Sequence, residues 1–139
     1  MNDADTRESR PARRIPAPAQ NEESKAFWDA AREHRLLLKH CRDCGKPHWY
    51  PRTICPLCFS SNTEWKESAG NGEVYSFSVQ SAGVPAPFAI AYVTLEEGVS
   101  LLTNIVDCDF DQLRIGQKVQ LKWTATSEED PPVFTFAPV

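Results

Sequence analysis

Four cysteines carry the plainest chemistry in this chain. Cys41-Arg42-Asp43-Cys44 and Cys55-Pro56-Leu57-Cys58 are two C-x-x-C pairs with ten residues between them. Each pair fits one tight turn, and two such turns facing each other present four sulfurs tetrahedrally, the arrangement zinc accepts at about 2.3 Å per sulfur. Four thiolates close the coordination shell, so the expected cofactor is one structural zinc ion, a staple and not a catalyst. The same donors can also hold iron. Gly45 follows the second ligand, where a positive φ lets an amide turn toward a thiolate. Phe59 follows the fourth, which predicts a strained or widened second turn. His40 and His48 flank a set that is already complete, so they are expected at the surface or supporting the ligands from outside. Cys108 has no partner cysteine, and its neighbours Asp107 and Asp109 would raise its pKa, which predicts a buried, inert thiol.

The elements that must position these groups follow from periodicity. Residues 1–20 hold Pro11, Pro16 and Pro18 among charges and alanines, too little apolar surface to offset ordering entropy. They are expected to be a flexible tail, or an arm ordered on a partner. Asn21 as N-cap, Glu22 and Glu23 at the positive end of the dipole, and Phe27, Ala30, Ala31 and His34 on one face predict a helix over roughly residues 22–35. Leu36 to His40 then runs as a strand into the first cysteine pair. The predicted division is therefore tail 1–20, helix and lead-in strand 21–40, zinc ribbon 41–68 and barrel 69–139, with the turn signal Ala69-Gly70-Asn71-Gly72 at the last boundary.

After that turn the pattern has period two. Tyr75, Phe77 and Val79 fall on one face opposite Ser76, Ser78 and Gln80. Phe88 to Val93 is more uniformly apolar, and Leu101 to Val106 follows the tight link Glu96-Glu97-Gly98. Val119, Leu121 and Trp123 alternate with polar residues, and Phe134 and Phe136 mark a last strand. Residues 109–116 leave room for one helical turn between the third and fourth strands. Mainly β, with an N-terminal helix, a zinc ribbon and five short strands, the chain reads as a small closed Greek-key barrel of the OB-fold type. Trp49, Tyr50 and Trp65 are expected to pack ribbon against barrel.

Charge narrows the partners. The 139 residues carry a formal charge of −4, but residues 1–69 hold 12 basic and 10 acidic side chains whereas residues 70–139 hold 3 and 9. An OB face that grips a nucleic-acid backbone needs a basic groove with aromatic platforms. Here the barrel half is the acidic one, which weighs against nucleic acid. The cations Arg32, Arg35, Lys39, Arg42, Lys46 and Arg52 instead form a smaller basic segment, a candidate contact for the phosphates of a nucleotide or for a partner chain. No apolar run approaches the roughly 18 residues of a membrane span. The N-terminal stretch lacks an apolar signal core, so a cytoplasmic location is expected.

Several motifs occur in order: Phe27-Trp28, Arg35-Leu36-Leu37-Leu38, the two cysteine pairs, Tyr50-Pro51-Arg52, Gly72-Glu73-Val74-Tyr75-Ser76-Phe77, Leu101-Leu102-Thr103-Asn104 and Arg114-Ile115-Gly116. Over about residues 21–139 the chain resembles an acyl-CoA-associated family with an N-terminal helix, a rubredoxin-like zinc ribbon and a C-terminal OB fold. The resemblance implies an accessory subunit of a thiolase-superfamily enzyme (a thiolase, a synthase or an aldolase) that helps to form or cover the acyl-CoA site. The catalytic residues would lie on the thiolase-like subunit, in keeping with the lack of a nucleophile–base pair in this sequence. Phe59 departs from that family's usual glycine. A free-standing acyl-CoA carrier and a single-strand nucleic-acid binder are the competing readings.

Overall fold

The computed structural model describes residues 13–128 and 130–139. Among the described residues there is one α-helix, α1, which spans Lys25–Arg32 and buries Phe27, Trp28, Ala30 and Ala31. The predicted helix was longer at both ends, and capping explains the difference. Asn21 and Ser24 form a reciprocal box, the Ser24 amide donating to Asn21 Oδ1 at 2.9 Å and the Asn21 amide to Ser24 Oγ at 3.1 Å. At the other end His34 takes a left-handed φ of 59°. Its amide donates to Ala31 O at 2.9 Å and that of Arg35 to Ala30 O at 3.0 Å. This is a Schellman stop with histidine in the glycine position. His34 thus leaves the buried face where its spacing put it and stacks on Trp123.

The ribbon is a three-stranded antiparallel sheet in the order β2-β1-β3: β1 is Leu37–Cys41, β2 is Pro47–His48 and β3 is Thr63–Glu67. The lead-in strand is therefore the centre of the ribbon sheet, and both cysteine turns lie at its Cys41 end.

The second half closes into a barrel ordered β4-β5-β6-β8-β7, one short 3₁₀ turn at Phe110–Gln112 lying between the third and fourth of its strands in sequence. The strands are β4 Asn71–Gln80, β5 Phe88–Leu95, β6 Ser100–Ile105, β7 Lys118–Thr124 and β8 Val133–Pro138. Two glycines admit the closure. A Cβ on Gly70 would lie 2.6 Å from Leu121 Cβ, and one on Gly72 would lie 2.7 Å from Thr94 O. The predicted boundary turn is thus half strand, since Asn71 and Gly72 already pair with β7. One face assignment changes as well. A bulge between Val74 and Ser76 shifts the register, so Val74 points inward and Tyr75 outward at 69% exposure.

Helix, ribbon and barrel share one core. Phe27 lies edge-on to Trp28 at 4.7 Å, to Trp49 of the ribbon at 5.1 Å and to Phe134 of β8 at 5.9 Å. Trp49 meets Phe134 at 5.5 Å, so the predicted joint through Trp49 is real, but its centre is Phe27. Polar ties surround it: Glu23 accepts from the Thr53 amide at 2.7 Å, Arg32 donates to Asp130 at 2.7 Å, and Glu97 accepts from Ser68 Oγ at 3.0 Å. Residues 1–12 of the predicted tail fall outside the described residues. Residues 13–20 form no helix or strand, yet Ile15 O accepts from the Ser127 amide at 2.7 Å and Arg13 stacks on Phe88.

Truncating a fully buried phenylalanine costs about 3–5 kcal/mol. Phe27→Ala should lower stability by that amount, read as an earlier urea midpoint. The tryptophan fluorescence and the far-UV circular dichroism should move together, because one ring joins all three pieces.

Candidate metal centre

The two cysteine turns are built alike. In the first, the Gly45 amide donates to Cys41 O at 2.9 Å and the Cys41 amide to Lys46 O at 3.0 Å. In the second, the Phe59 amide donates to Cys55 O at 2.8 Å and the Cys55 amide to Ser60 O at 2.8 Å. Gly45 has φ 73° and Phe59 has φ 65°. Phe59 therefore takes up the glycine's conformation and the turn is strained but not widened. A left-handed L-residue costs about 1–2 kcal/mol, and Phe59 offsets little of it by packing, being 79% exposed.

Both turns bring their sulfurs to one point. The Sγ atoms of Cys41, Cys44, Cys55 and Cys58 all lie within 4.8 Å of one another, Cys41 to Cys58 at 3.5 Å and Cys44 to Cys55 at 3.8 Å. A tetrahedron with metal–sulfur bonds of about 2.3 Å has edges of about 3.8 Å, so the donor set fits a zinc ion in spacing as well as in type. The Leu57 amide donates to Cys55 Sγ at 3.4 Å. Such bonds from outside the ligand set fix a sulfur's direction.

The thiols do not titrate alike. Amides of Cys44 and Asp43 bring Cys41 down to about 7. At Cys58 the Ser60 amide also pulls down, but the Cys41 sulfur, burial and the other two sulfurs outweigh it and push the thiol up to about 12. Crowded sulfurs cannot all ionise without a cation among them. Metal binding must therefore release protons.

A side chain inside the first motif cross-links the turns. Asp43 accepts from Ser60 Oγ and, at 3.1 Å, from Asn62 Nδ2, which hold its carboxyl below the usual range. Its place between two ligands was the available signal, but sequence could not show what it reaches. His48 is buried, accepts from the Arg52 amide at 3.3 Å and has a pKa lowered by burial. His40 lies 3.7 Å from Glu64. The metal-type cluster contains neither histidine. Cys108 lies away from it, and burial, then Asp109, raise its thiol.

The six cations do not gather into one pocket. Arg32 pairs with Asp29 and Asp130, Arg35 with Glu67 and Glu33, Arg42 with Glu64, and Arg52 with Glu23. Lys39 lies over Trp65 at 4.5 Å. Lys46 is exposed with no ion pair among the described residues. Sequence showed the excess of positive charge here but not the acids that pair with it.

Comparison with known proteins bears on this arrangement. A family model described as "ChsH2, rubredoxin-like zinc ribbon domain" matches residues 28–64, and one described as "ChsH2, C-terminal OB-fold domain" matches residues 65–124. A "DUF35 domain-containing scaffold protein" of Methanocaldococcus jannaschii is 33% identical over 78% of this chain and 83% of its own length. A "Probable enoyl-CoA hydratase alpha subunit" of Thermomonospora curvata is 35% identical over 91% of this chain, but the match spans only 41% of that larger protein. Among solved structures, a chain of the "Ltp2-ChsH2(DUF35) aldolase" superposes with a TM-score of 0.77 at 32% identity, covering 88% of this chain and 98% of that one.

Phe59→Gly should raise stability by up to about 1 kcal/mol in chemical denaturation, since relief of the left-handed strain exceeds glycine's entropy cost. Zinc affinity should fall as pH drops through the Cys41 range, because protons compete for the sulfurs. A chelator-competition titration at two pH values measures it.

Proposed function

The chain belongs to the DUF35 scaffold family, with the rubredoxin-like zinc ribbon and OB-fold domain of the ChsH2 type, and from that premise we propose that it is a non-catalytic, zinc-stapled accessory subunit of a thiolase-like acyl-CoA complex. The supporting observation is the near-complete overlap with a chain of a two-protein aldolase, 98% of that chain at 32% identity. Relatives named as a scaffold and as a subunit point the same way.

On this reading Cys41, Cys44, Cys55 and Cys58 hold one structural zinc ion. The ion supplies no reactivity and fixes the two turns against β1. Nucleophile and acid–base groups come from the catalytic subunit. This chain carries a single thiol outside the cluster, Cys108, and burial and Asp109 hold it away from the ionised form. Contacts to acyl-CoA phosphates fall to the ribbon-side cations, Lys46 first, because phosphate there displaces no ion pair. The complex is a cytoplasmic heteromer acting as a thiolase, synthase or aldolase.

Co-expression with a thiolase-like protein from the same genome should yield a stable complex and acyl-CoA activity that neither chain shows alone. A chain that stays free, with activity unchanged by its absence, rejects the reading. Appreciable CoA binding by the isolated chain in calorimetry would favour a carrier instead.

A further inference from the structure

An ordinary soluble barrel covers its outer face with charge, and β7 follows that rule with Lys118, Gln120 and Lys122 pointing outward. The outer face of β4, β5 and β6 does not. There the outward positions are Tyr75, Ser76 and Ser78, then Ile90 and Tyr92, then Leu102, with Glu73 at the start of β4 the one charge from these strands and Arg13 lying over Phe88 at one end of β5. Tyr92 lies directly across from Leu102 on one side and from Ser76 on the other. Tyr75, Tyr92 and Leu102 are 69%, 47% and 53% exposed. A shallow hollow of about 200 Å³ runs between Ser76, Ser78, Ile90, Tyr92 and Leu102.

Part of the polar surface of this face is already bonded within the chain. Thr94 and Ser100 hydroxyls bond each other at 2.8 Å, and Asn104 Nδ2 donates to Ala89 O at 2.9 Å. The hydroxyls of Tyr75, Ser76, Ser78 and Tyr92 have no bond among the described residues, so a partner that dries this face must bond them. Loss of charge with tyrosine at the centre is the composition of an interface core.

Charge chooses the occupant. Three strands at about 4.8 Å by five residues at about 3.3 Å give a footprint of roughly 240 Å², the apolar centre of an interface that must extend beyond it, since a stable one takes about 800 Å² from each partner. Residues 70–139 also carry 9 acidic against 3 basic side chains, which repel a like surface. The occupant must be a different protein with an apolar centre and a neutral or basic margin.

We infer that the outer face of β4–β5–β6, centred on Tyr75, Tyr92 and Leu102, is where this chain docks onto its catalytic subunit. The inference rests on the accessory-subunit reading above and assigns the surface that reading leaves open.

The test uses the full chain and the thiolase-like protein of the co-expression experiment above. Tyr92→Asp, Leu102→Glu and the milder Leu102→Ser are compared with Gln120→Glu on the β7 face, each checked for an unchanged thermal midpoint. The two acidic variants should weaken the complex at least 100-fold in calorimetry and Leu102→Ser about tenfold, with Gln120→Glu within threefold of the parent. If the parent binds and all four variants bind alike, the face is wrong while the accessory role stands. If the parent does not bind, both fall. A dimer of this chain alone that Leu102→Glu breaks would assign the face to a second copy. A tenfold gain in partner affinity on deleting residues 1–12 would assign it to that segment. Either result overturns the proposal.

Discussion

The ring of Phe27 is the contact on which the rest of the structure depends. It is fully buried and touches one aromatic residue from each of the other two pieces, Trp49 from the ribbon and Phe134 from the barrel. None of the three pieces is large enough to build a sufficient core alone, since small domains bury too small a fraction of their surface. The helix is only eight residues long and gains little from its own hydrogen bonds. Its stability comes from laying Phe27 and Trp28 into the gap between ribbon and barrel, and that gap is closed by the same rings.

The tetrathiolate cluster does for the ribbon what Phe27 does for the whole. The ribbon sheet has strands of five, two and five residues, and only Leu38 and Cys41 of β1 and His48 of β2 are buried in it. Such a sheet needs a staple. The two knuckles are near-copies in hydrogen bonding, and the price of that match is Phe59 in a conformation that suits glycine. Asp43 adds a second, purely organic link across the turns.

Much of this was legible from residue order. The cysteine spacing specified the donor set, because C-x-x-C is a local turn and needs no information from elsewhere. Strand positions were legible too, since alternation is a local property. The direction of Tyr75 was not: one bulged residue reverses the faces of a strand, and the bulge answers to pairing with β5. Likewise His34 has helical spacing, but the helix ends before it in a Schellman turn.

The basic segment shows the same limit from the side of function. Its six cations are adjacent in sequence, yet Arg32 pairs with Asp130, Arg35 with Glu67 and Arg52 with Glu23. Those acids lie far along the chain and reach the cations only after folding. By itself the sequence determined what depends on near neighbours: two cysteine knuckles, the helix before them and five barrel strands after them. Tertiary structure alone placed the centre of the aromatic joint at Phe27 and decided the outward face of β4–β6 and the pairing of the cations. The reason is physical: periodicity and turn chemistry act over a few residues, whereas burial and charge pairing are set by whatever the closed barrel and ribbon bring within a few ångströms.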